Sequence, residues 1–252
     1  LLTQDCSAIH STNMVVKFAD DTTVVGPISN NEETHYREEV QRLTQWCCRN
    51  NLILNTSKMK EVIVDYRRSR KTEHAPLCIH EEAVERVDSI KFLGIHISSD
   101  LSWSVNTSHL VRKAQQRLFF LRKLKRSGLS SQVLTDFYRA TIESIQCLSV
   151  TVWYGSCTSQ NKKDLARVVR TAQGIVGCHL PDLDSVYAAR VQKRARRMAA
   201  DPTHPGNALF VPLPSGKWYR NIKATTKRLR DSFFSRAVKA IAIVSSSAIH
   251  IL

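Results

Sequence analysis

The sequence predicts an α+β fold built from two unlike parts, and three observations carry that expectation. Short β-branched runs bounded by turn residues, with one amphipathic stretch among them, fill the first hundred residues. From about Leu101 the apolar period becomes helical. The charge changes at the same place: residues 1–100 carry 12 Lys/Arg against 15 Asp/Glu, and residues 101–252 carry 25 against 7, a net of −3 followed by +18. The expected domains are residues 1–100, a helical region over 101–200, and a Pro/Gly linker with a basic tail over 201–252. With 42% hydrophobic residues the chain can bury a real core, so global disorder is not expected.

The elements follow in order. NMVVKFADDTTVVG reads as strand, tight turn and strand, because Val15, Val16 and Phe18 lead into Asp20 and Asp21, and Thr22 to Val25 lead out before Gly26-Pro27. NNEETHYREEVQRLTQWCCRNN predicts an amphipathic helix with an Asn cap and first-turn Glu32 and Glu33, since Tyr36, Val40, Leu43 and Cys47 recur at spacings of four, three and four. LILN and EVIVDY read as short strands joined by NTSKMK, and RRSRKTEHAP reads as loop. SIKFLGIHIS is a further strand or hairpin arm, in which Gly94 marks a bend or a close backbone approach.

Four helices come next. Leu110, Ala114, Leu118 and Leu121 define the first, which loads Lys123, Lys125 and Arg126 into its last turn and ends at Gly128. Leu134 to Ile145, after Ser130 and Ser131, make the second; Leu165 to Val176 make the third, and Asp184 to Met198 the fourth. THPGNALFVPLPSGKW reads as a linker and YRNIKATTKRLRDSFFSRAVKAI as a basic tail. The terminal AIAIVSSSAIHIL is too short and too rich in serine to span a bilayer, and reads as a docked last helix or a ragged end.

Composition narrows the function classes. A net charge of +15 and a pI near 9.8 point to a polyanionic partner. The seven cysteines include no C-x-x-C, so neither a disulfide framework nor a zinc site has its spacing. Reduced thiols, with no secretory or transmembrane signal, place the chain in the nucleus or cytoplasm, and no membrane partner is expected.

Asp20 and Asp21 pose the chemical question. Two adjacent carboxylates repel unless they are solvated or share a cation. Alone, such a pair reads as a solvated turn. Flanked by apolar strands, it is presented at the tip of a packed hairpin, where hard oxygen ligands can hold Mg²⁺ against substrate phosphates.

KFADDT resembles the F/Y-x-D-D hairpin of reverse transcriptases, and its surroundings are similar to the non-long-terminal-repeat (LINE-type) retrotransposon polymerases. WCCRNNLILNTSKMKEVIVDYRR resembles the helix, turn and lysine segment that follows that hairpin. KFLGIHISSDLSW resembles the primer-grip hairpin leading into the thumb, and LPSGKWYRNIKATTKRLRDSFF the basic C-terminal segment. The resemblance implies the C-terminal part of a polymerase palm with a primer-grip hairpin, then a helical thumb-like region and basic tail. It implies Asp20 as a metal-coordinating carboxylate with Asp21 as its neighbour, and Mg²⁺ as cofactor of the intact polymerase. It also implies an RNA template and a DNA primer as partners, and attack of the primer 3′-hydroxyl on a deoxynucleotide. Lys58 matches the lysine that reaches the nucleotide's outer phosphates; otherwise it is a solvated loop lysine. Met59 stands where relatives often have threonine. Phe92, Leu93 and Gly94 match the primer grip; otherwise they form an ordinary buried strand.

The same resemblance implies a further palm aspartate upstream, together with template-binding and endonuclease regions. Asp5 is the one carboxylate before Asp20, and DCSAIH does not resemble that motif. The expectation is therefore a fragment of an RNA-directed DNA polymerase that is inactive alone. The alternative is a non-catalytic RNA- or DNA-binding module. A second resemblance touches residues 133–177, which are similar to a short segment named for the N-terminal end of the AlkB-homologue family. Dioxygenase chemistry in that family needs an H-x-D pair plus a distant His. None of the nine histidines belongs to an H-x-D. His80 and Glu82 give only an H-x-E in a polar loop.

The basic half supports nucleic-acid binding independently. Arg112, Lys113, Arg117, Arg122, Lys123, Lys125 and Arg126 crowd a helix that contains no acid, and Arg190, Lys193, Arg194, Arg196 and Arg197 crowd the fourth. Trp218 and Tyr219, within SGKWYR, are the candidates for base stacking, whereas Trp153 is expected in the core.

Overall fold

In the computed structural model, residues 6–67 and 73–241 are described. Asp5, part of the RRSRKTEHAP loop and nearly all of AIAIVSSSAIHIL lie outside them. The chain is a mixture of helix and small sheets. It divides into two compact units, Leu1–Ile90 and Lys91–Leu252. Among the described residues, no helix is long and apolar enough to cross a membrane.

In the first unit, β1 (Met14–Phe18) pairs antiparallel with β2 (Asp21–Val25), and Phe18 faces Asp21. Ala19 and Asp20 are left as a two-residue turn, with Ala19 in the left-handed region at φ 54°. The amphipathic stretch forms α1 (Thr34–Arg49), and its cap differs from the expected asparagine. Asn30 and Asn31 sit at φ 56° and 60° and turn the chain, so the capping position falls to Glu33. Glu32 accepts from the Thr34 N–H at 2.8 Å, while Glu33 pairs with Arg37 one turn on and with His74. The apolar core here is small: Val40, Leu77, Ile79 and Val84.

Buried carboxylates reinforce it. Glu39, 3% exposed, accepts from the main chain of Ile9 and His10. Glu61 takes two 2.9 Å bonds from Arg86. That pair joins β3 (Lys60–Glu61) to β6 (Glu85–Arg86), which run parallel. Between them β4 (Cys78–Ile79) and β5 (Glu82–Ala83) form a minimal hairpin. Of the two strands expected from LILN and EVIVDY, only the start of the second forms. LILN forms no strand, and Ile53 is 97% exposed.

A hairpin of β7 (Ser89–Phe92) and β8 (Ile95–Ser98) spans the division. Its turn residues Leu93 and Gly94 have φ of 45° and 87°, the left-handed pair that a two-residue primed turn demands. The positive φ is what favours glycine at 94; a Cβ there would meet only Leu148 Cδ2 at 2.8 Å, the end of a 44% exposed side chain that can turn aside.

The second unit is helical. α2 (Ser104–Arg126) buries Leu110, Ala114, Leu118 and Leu121 and packs chiefly on α6 (Ser159–Val176). Gly128, at φ 79°, follows α2 as expected. α3 (Ser131–Tyr138) is capped by Ser130. The expected second helix does not run through smoothly: residues 139–143 form a π turn before α4 (Ser144–Gln146) and α5 (Val150–Trp153). Thr141 and Ser144 side chains bond back to the carbonyls four residues earlier, at 2.7 and 2.6 Å, a competition that bends helices.

Trp153 is fully buried, with its indole N–H on the Leu148 carbonyl at 2.8 Å, as expected for a core residue. α7 (Leu183–Ala200) starts at Asp182, whose carboxylate caps the Ser185 N–H at 2.7 Å. After the linker, α8 (Lys227–Asp231) and α9 (Phe233–Ala240) return to the helical unit, where Ala237, Val238 and Ile241 join its core.

Leu121→Ala is expected to lower stability by about 2–5 kcal/mol, because the side chain is fully enclosed. Leu93→Asn should raise it by about 1 kcal/mol by relieving a left-handed leucine that is 40% exposed. Urea unfolding measures both, and a destabilised Leu93→Asn would show that leucine packing outweighs backbone strain there.

Candidate nucleic-acid interface

The burial of one stripe of α2 decides where its charges go. With Leu110, Ala114, Leu118 and Leu121 inward, Arg112, Arg122, Lys123, Lys125 and Arg126 are exposed. α2 contains no acid, and none of these cations is ion-paired with a carboxylate among the described residues. Lys123, Lys125 and Arg126 lie in the last turn, where they also complement the helix dipole.

One of the expected contact residues on α2 is engaged inside the fold. Arg117, half-buried, donates to the Thr141 carbonyl in the π turn, which ties α2 to that segment. Arg112 reaches His109 Nδ1 at 3.2 Å, and Lys113 is half-buried. On α7, Arg190 donates to the Cys147 carbonyl at 2.7 Å, while Arg194 lies over the Phe233 ring at 5.0 Å. Both therefore brace the α4–α5 bend and α9 rather than standing free.

The aromatic part of this surface escaped the sequence reading. Phe119 and Phe120 are 51% and 54% exposed, set edge to face at 5.6 Å, and Lys123 Nζ lies 4.8 Å from the Phe119 centroid. Beside them Phe120, Leu124 and Phe137 floor a groove of about 570 Å³, with Arg117 and Lys123 at its rim. The available signal was the position of Phe119 and Phe120 off the apolar stripe of a basic helix.

Trp218 is 52% exposed. It is presented by a loop closed by the Leu213 N–H to Trp218 carbonyl bond at 2.8 Å and the Arg220 N–H to Val211 carbonyl bond at 2.7 Å. Tyr219 differs: it stacks edge to face on Phe210 at 5.4 Å and packs against the core. Of the proposed stacking pair, Trp218 alone presents a free face.

The other sequence-derived candidates sit as follows. Asp20 is exposed in the β1–β2 turn, and Asp21 is exposed as the first residue of β2. Lys58, also exposed, ends a single 3₁₀ turn over Thr56–Lys58. Phe92 is half-buried at the end of β7, and Leu93 and Gly94 form its turn. His80 is a turn residue at φ 50°, and Glu82 accepts from Thr56. Among the described residues, no group of three or more His, Cys, Asp and Glu is placed to hold a metal ion.

A protein-family profile described as "Alkylated DNA repair protein alkB homolog 8, N-terminal" matches residues 103–144. This is 42 of the 252 residues and covers α2, α3 and the π turn. It shares only residues 133–144 with the stretch on which the sequence suggested that resemblance. The chain is thus similar to that family over one helical pair that carries the basic surface. No curated protein and no solved structure matches the chain.

The two kinds of basic residue should separate experimentally. Arg117→Ala is expected to cost about 1–3 kcal/mol in unfolding free energy, since it strips a carbonyl of its donor. Replacing Lys123, Lys125 and Arg126 together by Gln should cost less than about 1 kcal/mol. Chemical denaturation compares them, and an equal loss in both would mean that the last-turn cations are structural too.

Proposed function

We propose that the helical unit grips nucleic-acid backbone without sequence preference, and that the chain is the C-terminal portion of a non-long-terminal-repeat reverse transcriptase. The observation that carries the first part is the acid-free α2, with five exposed cations beside two exposed phenylalanines. Cations track phosphates, and aromatic faces accept unstacked bases of any sequence.

The polymerase reading rests on the KFADDT hairpin and the order of the segments that follow it. In support, the β1–β2 ribbon holds two carboxylates at its tip while Met14, Phe18 and Val25 are at least half exposed. Val24 packs the other face on the small core, and a larger sheet would cover the face that these three residues leave in solvent. Asp20 and Asp21 are hard oxygen ligands of the kind Mg²⁺ takes, but two carboxylates are an incomplete set for a two-metal centre. Nucleotidyl transfer is accordingly assigned to an intact polymerase that supplies the further aspartate, with Lys58 near the outer phosphates. A non-catalytic binding module is the second reading, favoured by the completeness of the basic surface within the helical unit.

Fluorescence anisotropy at several salt concentrations, run beside primer extension, tests the proposal. RNA and DNA oligonucleotides should bind with similar affinity and a log–log salt slope of about −4, the value for five phosphate contacts. Exchanging Lys123, Lys125 and Arg126 for Gln should flatten that slope by roughly two to three for all sequences alike. No primer should be extended. Absent or salt-independent binding would overturn the nucleic-acid reading, and primer extension by the chain alone would overturn the assignment to a larger polymerase.

A further inference from the structure

A second basic cluster forms at the start of the helical unit, apart from the last turn of α2. β8 carries His96, and α2 brings His109 to a centroid distance of 4.6 Å with the rings 53° apart. Arg112 lies 3.2 Å from His109 Nδ1. A guanidinium only donates, so that nitrogen is the acceptor and the His109 ring is neutral.

Asn106, 1% exposed, accepts the His96 main-chain N–H at 3.0 Å through Oδ1. Its Nδ2, like His96 Nε2, is buried without a hydrogen-bond partner. Buried polar atoms in native proteins are nearly always satisfied, so two orphans on a pair of residues already joined by a hydrogen bond call for an occupant.

The surrounding charge says what kind. Lys91 on β7, and Arg112 and Lys113 on α2, face His96, and the same three together with His96 face His109. β7, β8, their turn and α2 contain no acid at all. Burial first, and then these cations, hold both imidazoles below their ordinary value.

We propose that this cluster binds a phosphoryl group, carried on a nucleic-acid backbone or as free phosphate, and that His96 and His109 take up protons from solvent as it binds. The nucleic-acid source rests on the reading of the helical unit given above. The anion supplies acceptors for Asn106 Nδ2 and for a protonated His96 Nε2. Protonation of His109 removes the acceptor from Arg112, whose exposed guanidinium then turns to the phosphate. No bond to phosphorus forms or breaks. The added negative charge offsets the three cations, which raises both imidazole pKa values above those of the free protein. Affinity must therefore rise as pH falls through the window between the bound and free values, whose lower edge lies below the ordinary imidazole value because burial and the neighbouring cations lower both rings in the free protein.

The test is anisotropy with a single-stranded oligonucleotide between about pH 5.5 and 8, at fixed salt, for wild type and the double variant His96→Gln/His109→Gln. Wild type should tighten at least about tenfold toward acid, and the double variant should lose that gain, its affinity staying level across the same pH range. Histidine NMR titrations of the wild-type chain keep the question open to refutation should the variant fold poorly. Either inorganic phosphate or the oligonucleotide should move both imidazole pKa values upward. Movement with phosphate but no oligonucleotide binding assigns the site to free phosphate and sinks the nucleic-acid reading alone. Oligonucleotide binding with both imidazoles unmoved by either ligand overturns the inference alone.

Discussion

Burial of the Leu110, Ala114, Leu118 and Leu121 stripe against α6 is the constraint on which the helical unit turns. A helix of 23 residues with one apolar stripe has the rest of its circumference left for other work. Here that remainder holds seven cations and no acid, so no neighbour one turn away on α2 can neutralise them. Folding the stripe inward thus concentrates positive charge outward. Phe119 and Phe120 follow from the same geometry, because both fall off the stripe and stay in solvent beside the cations. The Arg117 contact to Thr141 then fixes the π turn against α2 and shapes the groove floored by Phe120, Leu124 and Phe137.

The first unit is held in another way. Its four-residue apolar core is too small to dominate, and Glu39 and Glu61 do part of the organising by accepting main-chain and arginine donors. Such bonds order loops without covering apolar strand faces, which is why Phe18 and Ile53 remain in solvent while the strands around them are only two to five residues long. The ribbon that bears Asp20 and Asp21 is regular in register, with Val24 packed on the small core and Met14, Phe18 and Val25 left in solvent.

Helices were the most legible elements, since four-three spacing of large apolar residues leaves little freedom, and Gly128 and Ser130 announced an end and a start. The β1–β2 hairpin was legible for a similar reason, since β-branched residues on both sides fix the register, although the turn falls at Ala19 and Asp20 and Asp21 already belongs to β2. Strand assignments from LILN and EVIVDY failed because β-propensity records a fit to a pleated, covered surface, and no such surface meets Ile53. The Asn cap of α1 failed because Asn30 and Asn31 satisfied a turn first. For the candidate interface, charge was readable but its division of labour was not. Sequence cannot show that Arg117, Arg190 and Arg194 serve carbonyls or rings within the fold, nor that Tyr219 turns onto Phe210 while Trp218 turns out. The pairing of His96 with His109 depends on β8 lying along α2, a tertiary fact with no local signature.

The central claim is that nucleic acid contacts the face of α2 that its apolar stripe leaves outside. Photo-cross-linking of 4-thiouridine-labelled RNA, with the attached peptides located by mass spectrometry, addresses it directly. The account predicts cross-links at Phe119 or Phe120, which are exposed on α2 among its cations, and at the exposed Trp218. Cross-links confined to residues 6–67, with none on α2, would contradict it.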